Sequence, residues 1–254
     1  MTPARVVSVD LAVQRARDVG VCVLSRSARG IEAELVSLAA PGAPLDPPSA
    51  RWLAESIARL ARARHARLLL LDGCQAWKDA ANGLEHARRC ERALHTPAKT
   101  GEPGRVKPRP YTSFVAFSIA VFDELHALGW PRLEAARRPR GRRAVEVFPH
   151  AAWKRLGLAP LPAKAKCSAQ RVAAHARALC AHCHVRTNRA PSHDELQALV
   201  AGIAGLALLA GDASGYELLG DPPRLVEGAW REGFILAPRA GLSSAARARR
   251  DATR

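Results

Sequence analysis

The sequence predicts an α/β domain built on a mixed sheet, and three observations predict it. Arg5-Val6-Val7-Ser8-Val9-Asp10 is a β-branched apolar run that ends on one carboxylate. Two further runs, Val19 to Leu24 and Ile31 to Ser37, follow after short polar turns and read with it as an antiparallel meander. Leu68-Leu69-Leu70-Leu71-Asp72-Gly73 then follows a helical segment, and strand, helix, strand implies a parallel crossover that lays it beside the first run.

The first run is apolar on both faces, so it belongs in the middle of the sheet. A carboxylate at the end of such a strand is costly without a cation or a hydrogen-bond partner. Asp10 is therefore the residue the rest of the chain must explain. In the third run Ile31, Ala33 and Leu35 share one face, with Glu32 and Glu34 on the other. A Pro-rich connection, Pro41 to Pro48, leads to Ser49, a cap for a helix over about Ala50 to Arg64 with Leu53, Ile57 and Leu60 on one side. The parallel crossover then sets Asp72 near Asp10.

Residues 74 to 142 are the least regular and read as a helical and loop insertion. Cys74 to Leu94 is partly helical, Lys99 to Pro110 is a basic Pro/Gly-rich loop, and Ser113 to Leu128 is a helix stopped by Gly129 and Pro131. Lys99, Arg105 and Lys107 in that loop are candidate phosphate contacts. So are Arg137, Arg138, Arg140, Arg142 and Arg143, a dense basic run that reads as a phosphate-contacting arm or as a solvated loop.

Ala144 to Pro149 is another short strand, and a buried strand rarely carries a residue such as Glu146 without reason. Helices are expected over Ala151 to Leu156 and about Ser168 to His182. Ser192-His193-Asp194-Glu195 is a capping-box pattern that opens an apolar helix running to Gly211. Gly233 to Pro238 is a strand or a docked tail. One domain over residues 1–238 is expected, followed by a disordered basic tail over residues 239–254.

The bulk numbers agree with one large domain. Of 254 residues 48% are apolar, enough for a full core. A net charge of +16 and a pI of about 10.8 favour acidic partners, nucleic acid first, although Arg in an Ala- and Arg-rich chain can simply solvate faces. Aromatic content of 5% argues against stacking platforms for single strands. The first residues show no signal-peptide pattern, and the richest apolar stretch, Leu196 to Ala210, reads as a buried helix rather than a membrane span. A cytoplasmic protein without a membrane partner is expected, with its six cysteines mostly reduced.

Asp10, Asp72, Glu146 and Asp194 form the candidate site. Three end or interrupt apolar strands, and the fourth lies in the first turn of an apolar helix. If those strands are neighbours, the acids converge on one edge of the sheet. Oxygen ligands of this kind suit Mg²⁺ or Mn²⁺. Two such ions can activate a water and stabilise the leaving oxygen in phosphodiester cleavage. Each acid also has a plainer explanation. Asp10 could cap a turn, Asp72-Gly73 is a turn signal, Glu146 could pair with a nearby Arg, and Asp194 is favoured by the helix dipole. Four such acids on successive core elements are harder to explain as caps.

The order of strands and acids resembles that of the RNase H-like superfamily. More closely, Val9-Asp10, Leu71-Asp72, Glu146-Val-Phe-Pro149-His, Asp194-Glu-Leu-Gln197-Ala-Leu and Glu232-Gly-Phe-Ile-Leu-Ala-Pro238 resemble an uncharacterised bacterial family of predicted RNase H-like nucleases, domain of unknown function 429. The resemblance covers about residues 4 to 238. It implies a mixed five-stranded sheet flanked by helices and a divalent-metal-dependent nuclease or phosphodiesterase, with Asp10, Asp72, Glu146 and Asp194 as catalytic and metal residues. The RuvC-type resolvases look similar in the last helix, with an Asp-x-x-Asp-Ala pattern. Here Asp194 is kept and Gln197, a neutral and poorer ligand, stands where the second Asp would be. A non-catalytic nucleic-acid-binding module with a degenerate site is the alternative.

Other signals compete less well. Cys180-Ala-His-Cys183-His184 fits a c-type haem attachment pattern, and Cys180 and Cys183 with His182 or His184, and Cys167 or His193, could hold zinc. No second cysteine pair stands at regular spacing. Cys74 lacks a readable His-acid partner. The Gly/Thr-rich phosphate loops of an actin-like or sugar-kinase ATPase are missing after Asp10 and Asp72.

Overall fold

The computed structural model describes residues 4–38 and 46–240. Residues 39–45, which hold most of the Pro-rich connection, and 241–254, which hold most of the basic tail, lie outside the described residues.

In chain order the elements are β1 (Arg5–Asp10), β2 (Gly20–Ser27), β3 (Gly30–Leu35), α1 (Ala50–Ala63), β4 (Leu68–Asp72), α2 (Arg89–Leu94) and the two-residue strands β5 (Lys99–Thr100) and β6 (Val106–Lys107). Next come α3 (Thr112–Ala127), β7 (Arg143–Val147), α4 (Pro149–Arg155), α5 (Ala169–Cys183) and β8 (Val185–Thr187). The chain closes with α6 (His193–Ala210), β9 (Tyr216–Leu219), the β10 (Arg224–Val226) and β11 (Ala229–Arg231) hairpin, and β12 (Ile235–Pro238).

One mixed sheet of eight strands carries the fold, in the order β8-β3-β2-β1-β4-β7-β12-β9. β1, β2 and β3 are the antiparallel meander. β4 joins β1 in parallel, and β7 joins β4 in parallel. These five strands make the mixed sheet that the meander and the crossover predict. It is wider than the five strands expected, because β12 adds to β7 in parallel, β9 to β12 antiparallel, and β8 to β3 in parallel. β8 and β9 have three and four residues, too few for a clear period of two.

Alternation along the strands divides the core into two layers. Val6, Leu68, Leu70, Val145 and Val147 pack with α4, α5 and α6. Val7, Val9, Leu69, Leu71 and Ala144 pack with Leu53 and Ile57 of α1 and Val121 and Phe122 of α3. The apolar α6 lies flat on the sheet, as its all-round hydrophobicity requires. A Cβ on its Gly202 would stand 2.5 Å from Leu24 Cδ1 and 3.0 Å from Ser8 Cβ, so glycine sets how closely helix and sheet approach. By length and composition α6 passes for a membrane span, but 78% of it is buried inside the protein.

The stretch between β4 and α3 has little regular structure of its own and is held by buried charge. Arg88 is fully buried and bonds Glu91 and Glu146. Glu232 accepts from Asp79 N at 3.0 Å, Asn82 Nδ2 at 2.7 Å and Arg89 N at 3.1 Å. Two buried acids near β7 and β12 thus tie the irregular segment to the sheet.

Candidate functional site

The register of β1 on β4 sets Asp10 opposite Asp72. Both side chains share the face of Val6, Ser8, Leu68 and Leu70, because side chains alternate along a strand. The two carboxyls are hydrogen-bonded to each other. Burial, then the charges of Asp72 and Asp194, hold Asp10 well above the usual carboxylate range. Burial also lifts Asp72, to about 7, with the charge of Glu146 adding to the rise. Among the described residues no Lys, Arg or His forms an ion pair with either acid.

Asp194 approaches the pair because of a glycine. Gly20 is the partner of Asp10 on β2, and a Cβ there would stand 2.2 Å from the Asp194 carbonyl. Without a side chain at 20, the first turn of α6 rests directly on the sheet beside Asp10. The Asp194 charge reaches Asp10 but is itself compensated. Its Oδ2 accepts from Lys164 Nζ, and its Oδ1 pairs with His193 Nδ1 at 3.0 Å. Burial pulls Asp194 upward, yet these two partners outweigh it and leave Asp194 below its ordinary value. Lys164 also bonds Asp18 Oδ1 at 2.9 Å.

Glu146 is bound to a buried arginine rather than to the acid pair, although its charge reaches Asp72. It pairs in register with Leu71, one residue before Asp72, so it projects from the opposite face of the sheet. There Arg88 donates to it twice, at 2.7 and 2.8 Å, and Gln75 N donates at 3.0 Å. This bidentate, buried pairing commits the carboxylate to structure. The expectation of four convergent acids is corrected here: a one-residue change of register turns a strand acid to the other face.

Among the described residues no three His, Cys, Asp or Glu side chains stand together as a group that could hold a metal ion. The four-acid, two-ion arrangement is not assembled. The donor set does fit a single hard cation, since Mg²⁺ is commonly held by one or two carboxylates with water and substrate phosphate completing its shell. Asp10 and Asp72 have that chemistry: adjacent oxygen donors that form no ion pair among the described residues, with only the more distant charge of Lys164 reaching Asp10. Gln197 accepts from Trp153 Nε1 at 2.9 Å, which fastens it to α4. Glu195 completes the cap with Ser192 N at 2.8 Å and pairs with Arg189. The Cys180–His184 segment closes α5, and Cys183 is buried in the core.

The basic residues divide into two groups. Arg105 and Lys107 are exposed and, with Arg109, His86 and Thr112, line a groove of about 740 Å³. Arg109 belongs to the same 3-10 turn as Tyr111, which lines a cavity reaching Asp72. Lys99 is corrected to a structural role: its Nζ donates to Glu91 O at 3.0 Å and also to Thr96 O. Arg137 to Arg143 lie at the wrong end of the sheet for the acids. Arg143 is the register partner of Leu68, four residues and roughly 13 Å before Asp72. Arg67 Nη2 bonds Arg140 O at 2.8 Å, and Arg138 lies against Gly211, just past the far end of α6 from Asp194. The cause is the parallel pairing of β4 and β7, which puts a segment entering β7 opposite the end where β4 exits.

Lys164 and Arg109 were not singled out by sequence. In an Ala/Arg-rich chain nothing local marks them, and only the approach of α6 to β2 and the turn before α3 give them meaning.

No family model matches the chain, and no curated protein matches it. Among solved structures it is similar to a Thermus thermophilus RuvC structure, at 14% identity and a TM-score of 0.40 over 82% of this chain and 96% of that chain.

Proposed function

We propose that the protein is a divalent-metal-dependent nuclease that works on nucleic acid through Asp10 and Asp72, and that it belongs with the RNase H-like family, domain of unknown function 429, that its motifs resemble. The carrying observation is the pair itself. Two acids share the end of two adjacent parallel strands, hydrogen-bonded to one another, raised by burial, and without an ion-pair partner among the described residues.

Mg²⁺ or Mn²⁺ held by Asp10 and Asp72 would supply Lewis acidity and a bound water of lowered pKa. The chain's own groups do the rest. Without the cation, burial holds Asp72 up at about 7, so loading the site near neutral pH releases a proton from it. Lys164 brings a positive charge to the side of Asp194 and Asp10, where a phosphate oxygen can meet it. Arg105, Lys107 and Arg109 offer exposed cations for the backbone phosphates farther along the strand.

A binding module without hydrolysis is the second reading. The commitment of Gln197 to Trp153 and of Asp194 to Lys164 favours it. Labelled DNA and RNA, linear and branched, incubated with Mn²⁺, Mg²⁺ or EDTA, separate the two. Metal-dependent cutting by wild type, lost in Asp10→Asn, supports the nuclease. Salt-sensitive binding without cutting under any metal supports the module.

A further inference from the structure

A cavity of about 380 Å³ opens beside Asp72. That size lies within the range of small-molecule and cofactor sites. Its walls are mostly apolar: Pro97, Ala98, Tyr111, Phe114, Val147 and Phe148, with Asp72 and Glu146 at the polar edge. The whole chain has 5 Trp, 2 Tyr and 5 Phe, and three of these aromatics meet in this one place. Tyr111, Phe114 and Phe148 are each only half-buried, so they keep ring surface turned to the opening. The low aromatic content read from the sequence as evidence against stacking thus conceals a local cluster. The insertion and the start of α3 supply one wall, and the end of β7 supplies the other.

The occupant must satisfy two surroundings at once. On one side stands Asp72, a member of the acid pair to which the proposed function assigns a cation and a phosphate. On another side the 3-10 turn that carries Tyr111 begins at Arg109, which faces the basic groove of Arg105 and Lys107. An apolar planar body joined to an anionic backbone fits both. An aliphatic ligand leaves the cations unused, and a phosphate alone leaves the rings unused.

Resting on the nuclease reading, we propose that this cavity takes an unstacked nucleobase of the strand whose phosphate lies at Asp10 and Asp72. The substrate is then nucleic acid with a single-stranded, frayed or distorted position next to the cut. Extruding a base from an intact duplex costs a few kcal/mol, which selects for positions already unpaired. The walls offer mainly ring and aliphatic surface, so the pocket stacks any base with little sequence preference.

The test uses the full chain in EDTA, where binding runs without cutting. Single-stranded oligonucleotides carry 2-aminopurine at successive positions and a terminal dye. Anisotropy of the dye reports binding, and 2-aminopurine fluorescence reports unstacking. A several-fold fluorescence change at one position on saturation is expected, at least halved in Tyr111→Ala and in Phe148→Ala, while both variants still saturate by anisotropy. Tyr111→Ala alters a half-exposed side chain, so it reads the pocket even if Phe148→Ala unfolds. Fluorescence flat at every position with full anisotropy binding overturns the base pocket alone. A change that neither variant reduces also overturns it. No anisotropy change with any strand overturns the nuclease reading and the pocket with it.

Discussion

Asp10 and Asp72 are register partners across two parallel strands, and their carboxyls are hydrogen-bonded to each other at the edge of the core. Neither the meander nor the crossover needs an acid at that end. The pair costs the fold energy, since two half-buried carboxyls in contact cannot both ionise cheaply. That cost makes the site measurable without any knowledge of the substrate.

Asp10→Asn is therefore expected to stabilise the protein at pH 8 while abolishing metal-dependent cleavage. An amide keeps the hydrogen bond and removes the repulsion. A gain on the order of 1–2 kcal/mol corresponds to a few degrees in a domain of this size. Thermal unfolding at pH 8 checks it, and a midpoint lower than wild type contradicts it.

Stability should also fall as pH rises from about 4 to 7. Asp72 titrates at about 7 in the folded chain, above its ordinary value of 3.8, so over that window the folded state keeps a proton that the unfolded state has released. The proton's stabilising effect is full below the unfolded value and gone above the folded one. Asp194 and Glu195, lowered by their partners, act in the other direction and at more acid pH, where their contribution is lost. Denaturant unfolding across pH 4 to 8, wild type against Asp10→Asn, isolates the pair: the wild-type slope should be the steeper.

How much of this was legible follows from residue type and range. The meander, the parallel crossover and the capped α6 were readable, because strand alternation, Pro/Gly punctuation and the Ser192–Glu195 cap are local signals. The pairing of Asp10 with Asp72 followed from the crossover. The side of the sheet to which Glu146 projects did not, since that depends on β7 pairing with β4 at one register rather than its neighbour. The far placement of Arg137 to Arg143 had the same origin. The role of Gly20, a single glycine in an apolar strand, becomes visible only when α6 lies against it.

Arg88 and Glu146 give the clearest structural prediction. Arg88→Met leaves Glu146 and Glu91 buried without their cation, and a loss of about 3–5 kcal/mol is expected. Glu146→Gln in that background should recover part of it. In the Glu146→Gln single variant, stabilisation by Mn²⁺ should persist, because Glu146 is taken up by Arg88 and Gln75 N rather than by the acid pair. Loss of the Mn²⁺ effect in that variant would return Glu146 to the metal site.

The two basic groups should separate by salt dependence. Removing Arg105, Lys107 and Arg109 together should weaken nucleic-acid binding and lower the slope of log K against log salt by up to about 2–3. Removing Arg138 and Arg140, at the far end of the sheet, should leave cleavage close to wild type. Equal losses of cleavage in both variants would refute this division of the surface.

The most direct test of the central claim is the thermal midpoint at pH 8 as Mn²⁺ is titrated into wild type, Asp10→Asn and Asp72→Asn. A cation bound only to the folded pair stabilises wild type progressively, by about 2.7 kcal/mol at a hundredfold excess over its dissociation constant. That rise is expected in wild type, its loss in both variants, and metal-free midpoints in both variants at or above the wild-type value. A wild-type midpoint that Mn²⁺ does not move, or a rise that both variants keep, would mean that Asp10 and Asp72 are not where the metal binds.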